Sequence, residues 1–151
     1  MYRRSIRQAG PDKPLMTHLR PDDYDALAKF RHLLRKFLRF SRDFLRISAD
    51  LNPEQYEALL AIKAFAAPVG LTISQLSERL QVKHHSAVNI VDRLVDKKLI
   101  TRETAEADRR QRHVQLTAKG EKLIAELALA HRKEMRLRSA DMIKALERLR
   151  K

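Results

Sequence analysis

Between residues 71 and 120 the spacing of apolar positions switches from one period to another and back. Ile73, Leu76 and Leu80 keep the i, i+3, i+7 rhythm of a single buried helix face. Thr72 precedes them with Gln75 three residues on, the arrangement in which each side chain satisfies the other's backbone N–H at a helix start. Val82 and Lys83 form a turn. A second helix is expected over residues 84–98, burying Ala87, Ile90, Val91, Leu94 and Val95, with His84, His85, Val88, Asn89 and Asp92 on its other face. After Leu99 the period drops to two: residues 100–103 and 112–116 alternate, with Ile100, Val114 and Leu116 inward and a polar stretch between the two runs. The pattern predicts a helix-turn-helix followed by a two-stranded wing, with Thr117 capping the next helix.

The flanks read as helices. One begins at Pro21 with Asp22, Asp23 and Asp25 near its positive pole, and carries an apolar stripe of Leu27, Phe30, Leu34, Phe37, Ser41 and Phe44. Arg31, Arg35, Arg39, Arg42 and Arg46 occupy its other faces. Asn52, Pro53 and Gln55 start another, which reaches about residue 66 and offers Tyr56, Leu59, Leu60 and Ile62 to the core before Pro68 and Gly70 end it. A second long helix is expected over residues 118–138 with Leu123, Ile124, Leu127, Ala130 and His131 on one side. A break near Ser139 then leads to a last helix bearing Ile143, Leu146 and Leu149. Amphipathic ends of this kind either pair with a second copy or pack on their own chain. The expected fold class is mainly α with a small β-hairpin wing.

A helix-turn-helix places the N-terminal part of its second helix in the major groove, so His85, Val88 and Asn89 are the residues free to meet base edges. The wing tip holds Asp108, Arg109, Arg110 and Arg112, a cationic cluster able to enter a minor groove or straddle phosphates. Asp108 can brace one guanidinium while another stays free.

The strings LTISQLSERLQV, AVNIVDRLVDKKLI and DRRQRHVQLTAKG, in that order and spacing, resemble the winged helix-turn-helix of the MarR family of bacterial transcriptional regulators. They cover about a third of the chain, and LNPEQYEALLAI resembles the second helix of that family. The resemblance implies a homodimer on a pseudo-palindromic double-stranded DNA operator, a helical dimerisation region built from both termini, and a small-ligand pocket between the dimerisation and DNA-binding parts. It puts the groove-reading positions on His84, His85, Ser86, Val88 and Asn89, and the wing Asp and Arg on Asp108 and Arg110, with Arg109 and Arg112 beside them. It further implies that the later half of the first long helix lines the ligand cavity, bringing Phe37, Phe40, Phe44 and Arg42 near an aromatic or carboxylate effector. Tyr56, with its polar tip, serves either the core or that ligand. Lys83 stands where the family often has a Ser or Thr cap, and Asn89 where it often has Arg, so no operator sequence carries over.

Composition narrows the reading. The 151 residues include 32 Lys and Arg against 19 Asp and Glu, a formal net charge of +13 that favours polyanionic partners. Only part of it falls on the helix-turn-helix and wing, where residues 70–117 hold nine basic and six acidic side chains. The chain has no cysteine, which removes disulfides, thiol redox sensing and a cysteine nucleophile. With three glycines it has no Gly-rich phosphate loop, and no Ser-His-Asp ordering, so an enzyme is not expected and no catalytic residue or cofactor is assigned. His84 and His85 are adjacent on a helix and point about 100° apart, which is unsuited to chelation. A zinc site would need His32, His113 or His131 to converge, and no metal ligand is assigned.

No apolar run matches a membrane span, and the basic N-terminus lacks the apolar core of a secretory leader, so the expected setting is the cytoplasm. The organisation expected is an arm over residues 1–20, N-terminal helices over 21–69, the DNA-binding region over 70–117 and dimerisation helices over 118–151. Arg3, Arg4 and Arg7 of the arm either touch DNA or belong to a plain tail. The expected function is a ligand-released repressor. The alternative is a winged helix that binds protein or RNA and responds to no ligand.

Overall fold

The computed structural model describes residues 18–104 and 112–151, so Arg3, Arg4 and Arg7 of the arm, and Asp108, Arg109 and Arg110 of the wing tip, lie outside the described residues. Among the described residues five helices and three short strands follow in the order α1 (Pro21–Ala49), α2 (Pro53–Phe65), β1 (Leu71–Thr72), α3 (Ile73–Leu80), α4 (His84–Asp96), β2 (Ile100–Thr104), β3 (Arg112–Leu116) and α5 (Ala118–Leu149). Both capping boxes form as their spacing dictates. Asn52 accepts the Gln55 N–H at 2.8 Å while the Gln55 side chain accepts the Asn52 N–H at 3.0 Å. Thr72 and Gln75 make the same exchange at 3.1 and 3.0 Å.

The helix-turn-helix turns at Gln81, whose left-handed backbone (φ 54°) ends α3. There the Val82 N–H reaches the Ser77 carbonyl at 3.1 Å, a paired C-terminal closure. Leu76, Ala87, Ile90, Val91 and Leu94 fill the space between α3, α4 and α2, joined by Leu59, Ile62 and the wing residues Ile100 and Val114. Alanine at 87 keeps that crossing close. The wing is antiparallel with Arg102 opposite Val114 and Glu103 opposite His113. A third strand, β1, pairs Leu71 with Val114, giving the sheet order β1-β3-β2. Gly70 enters this strand at φ +95°, with β3 so near that an added Cβ would crowd His113.

Helices α1 and α5 run antiparallel along each other, Ala26 lying near Ala145 and Ser41 near His131. Their buried stripe departs from the expected one. Ala26, Ser41 and Leu45 are buried on α1, whereas Leu27 is exposed, because α5 covers a side of the helix rotated from the Leu27 edge. Leu60 is likewise exposed, sharing the outer side of α2 with Glu57. The expected break at Ser139 is absent, since α5 continues to Leu149. No Gly or Pro interrupts it there, the Ser139 hydroxyl donates to the Arg136 carbonyl at 3.0 Å, and Arg138 pairs with Glu134 one turn back. Among the described residues no helix is long and apolar enough to cross a membrane.

Candidate nucleic-acid interface

Helix α4 presents an open N-terminus. Its cap residue Lys83 is extended and supplies no side-chain cap, and its first turn has no acidic residue. The leading N–H groups and the positive pole of the helix are therefore available to an anion. His84, His85 and Asn89 are exposed and Ser86 is half-buried, whereas the expected outer-face residue Val88 is half-buried and packs against the core that holds Ala87, Ile90, Val91 and Leu94. The five recognition-helix candidates thus stand on the first two turns of one helix.

The base of the wing meets this face. Thr72, Ser74, His84, Val88, Arg102 and Arg112 line a shallow pocket between the start of α3, the first turn of α4 and the wing strands. Arg112 is exposed at the start of β3. Arg102 is half-buried and ion-paired to Asp92 of α4, so the wing is fastened to the helix beside it. Neither Arg102 nor the pocket residues Thr72 and Ser74 were among the sequence candidates. The available signal was an arginine in register with inward Val114, a position that demands a carboxylate partner.

The residues expected near a ligand separate into two places. Phe37, Phe40, Phe44 and Tyr56 surround the buried ring of His131. Tyr56 stacks on it at 4.2 Å between centroids and the three phenylalanines meet it edge-on at 5.7–6.1 Å. A carbonyl oxygen can only accept, so His131 Nδ1 carries a proton donated to Leu127 at 2.7 Å, and Nε2 shares a hydrogen bond with the Ser41 hydroxyl at 2.9 Å. Burial raises the Tyr56 phenol above its ordinary pKa, and the Glu57 carboxylate adds to the effect. Arg42 is elsewhere. It is exposed, pairs with Asp43 at 3.2 Å, and borders a groove with Arg31, Arg35 and Arg39. Among the described residues no group of three or more His, Cys, Asp or Glu gathers as a metal site requires.

A model of the MarR family matches residues 49–111. Among solved structures, a point mutant of MepR from S. aureus is 26% identical, covering 83% of this chain and 98% of its own, with a TM-score of 0.70. The S. aureus MepR–DNA complex is 25% identical over 78% of this chain and 82% of its own, with a TM-score of 0.66. AbsC, a MarR family transcriptional regulator from Streptomyces coelicolor, shares the fold at 20% identity over 83% of both chains, with a TM-score of 0.68. With the capped α3, the open α4 and the three-stranded wing all in place, residues 49–111 match the MarR family and the fold is similar to that of solved winged-helix regulators of that family.

Proposed function

We propose that this protein is a homodimeric, sequence-specific double-stranded DNA-binding regulator of the cytoplasm, a repressor that a small aromatic or phenolic ligand releases from its operator. The observation that carries the reading is the open N-terminus of α4, with His84, His85 and Asn89 exposed beside Arg102 and Arg112. Donors at a helix start receive phosphate, and side chains one turn later reach base edges. MepR, solved with DNA, supports the same use of the fold. In this division of labour residues 70–117 bind DNA, residues 21–69 and 118–151 pair subunits, and the arm over residues 1–20 adds to one or the other. Tyr24 and Leu27 of α1 and Leu137, Ile143 and Leu146 of α5 are exposed apolar side chains, the kind of surface a second subunit covers.

Ligand release works through the aromatic cluster. A ring inserted among Phe37, Phe40, Phe44 and Tyr56 would part α1 from α5 and change the separation of the two recognition helices from one DNA turn, about 34 Å. Selecting DNA fragments retained by the purified protein, then measuring gel shifts at two salt concentrations, tests the reading. Affinity for the selected duplex falls steeply with salt. A protein that is monomeric and indifferent to duplex DNA at low ionic strength would overturn it.

A further inference from the structure

Much of the positive charge lies away from the recognition helix. From Ala26 to Ala49 the first helix carries seven basic residues and one acidic residue, Asp43. Five of the basic residues, Arg31, Arg35, Arg39, Arg42 and Arg46, follow one another at steps of four, four, three and four. At 100° per residue these steps hold them within an arc of about 80°, and at 1.5 Å per residue the line is about 22 Å long. All five are exposed. Among the described residues only Arg39 and Arg42 find an anion, and it is the same Asp43, at 3.9 and 3.2 Å. The stripe is also set apart from the reading head, since α1 packs on α5 and α2, whereas α4 packs on α2, α3 and β2.

We propose that the arginine stripe of α1 is a second, sequence-independent binding surface for the phosphate backbone of duplex DNA, so that one protein can hold two DNA segments. A row of planar, permanently charged donors spaced by about one helical turn suits a polymer of regularly spaced phosphates, each able to take a bidentate guanidinium. A discrete organic anion would engage one or two of these side chains and leave the others unused. The groove they border, floored by Leu34, Leu38 and Pro53, is open rather than the enclosed cavity that small ligands occupy. Exposure of the guanidiniums fits backbone contacts, whose free energy comes largely from counterion release.

The surface is tested with the full chain in a sandwich assay. One duplex is immobilised and saturated with protein, and a fluorescent duplex of unrelated sequence is then offered. The unaltered protein captures the second duplex. The Arg31→Gln/Arg35→Gln/Arg39→Gln variant, whose glutamines keep good helix propensity, saturates the first duplex as before but captures the second about tenfold less well, and the log–log salt slope of unrelated-duplex binding falls by roughly two to three. Circular dichroism confirms its fold, and the single Arg35→Gln variant gives a smaller loss in the same direction. Absence of capture by the unaltered protein, or equal capture by the variant, overturns the proposal. So does a change in sedimentation, which would assign the stripe to subunit pairing, or displacement of the second duplex by polyglutamate as readily as by DNA. Failure of the recognition helix is read separately. The His85→Ala/Arg112→Ala variant, weakened at the α4 face, still binds unrelated duplex through α1.

Discussion

The Ser41 hydroxyl lies 2.9 Å from Nε2 of His131 and joins α1 to α5 across ninety residues of chain. Both residues are buried, and the ring they fix is the centre on which Phe37, Phe40, Phe44 and Tyr56 converge. Replacing Ser41 with Ala leaves Nε2 without a partner among aromatic rings. Loss of a partner from a buried polar atom costs about 1–3 kcal/mol, so Ser41→Ala is expected to lower Tm in thermal denaturation. An unchanged Tm would show that the bond contributes nothing to the packing of the two helices.

The Asp92–Arg102 pair fastens the wing to α4, and its two partners are 48% and 22% exposed. Partly exposed pairs of this sort contribute about 1 kcal/mol or less to stability. Arg102→Ala and Asp92→Asn should therefore shift Tm little but weaken operator binding several-fold, because the wing loses its fixed angle to the recognition helix. The double variant should be no worse than either single one. Additive losses in a binding cycle would mean that the two residues act independently.

Contacts on α4 and on the wing should differ in kind. His85→Ala and Asn89→Ala are expected to change which operator bases matter, whereas Arg112→Ala should weaken all duplexes alike and reduce the salt slope by about one. Competition among operator variants, repeated at several salt concentrations, separates the outcomes. A uniform loss for His85→Ala would move that residue to the phosphates.

The junction of wing and α5 is tightly built. Thr117 accepts the Gly120 N–H at 3.0 Å while its own hydroxyl donates to the Lys98 carbonyl at 2.7 Å. A Cβ at Gly120 would overlap the Leu99 carbonyl oxygen, which is backbone and cannot swing away. Gly120→Ala is accordingly expected to cost about 3 kcal/mol or more, and Thr117→Ala about 1–2 kcal/mol. Urea unfolding measures both. An alanine at 120 that is neutral would mean that α5 starts further from the strand than described.

What proved readable in the chain was local. Thr72 with Gln75, and Asn52 with Gln55, complete their hydrogen bonds within three residues, so spacing alone defines where α2 and α3 begin. The change of period after Leu99 likewise marks the wing, because alternation is a property of each strand by itself. The exposed face of α4 followed from the positions of Ala87, Ile90, Val91 and Leu94, which leave His85 and Asn89 on the far side.

Other features belong to pairs distant in sequence. Residues 71 and 72 are too few to show a period and become a strand only because β3 lies beside them. Ser139 looked like a helix end because serine competes for backbone hydrogen bonds, yet its hydroxyl satisfies the Arg136 carbonyl inside α5 and the helix runs on. Which edge of α1 is buried was set by α5, and so Ala26 and Leu45 entered the core while Leu27 stayed outside. The sequence by itself determined the capped helices, the wing and the face of α4, since those depend on neighbours a few residues apart. Only the tertiary structure could gather four aromatic rings around His131 and place Arg102 against Asp92, because burial and ion pairing are decided by what packs across the fold.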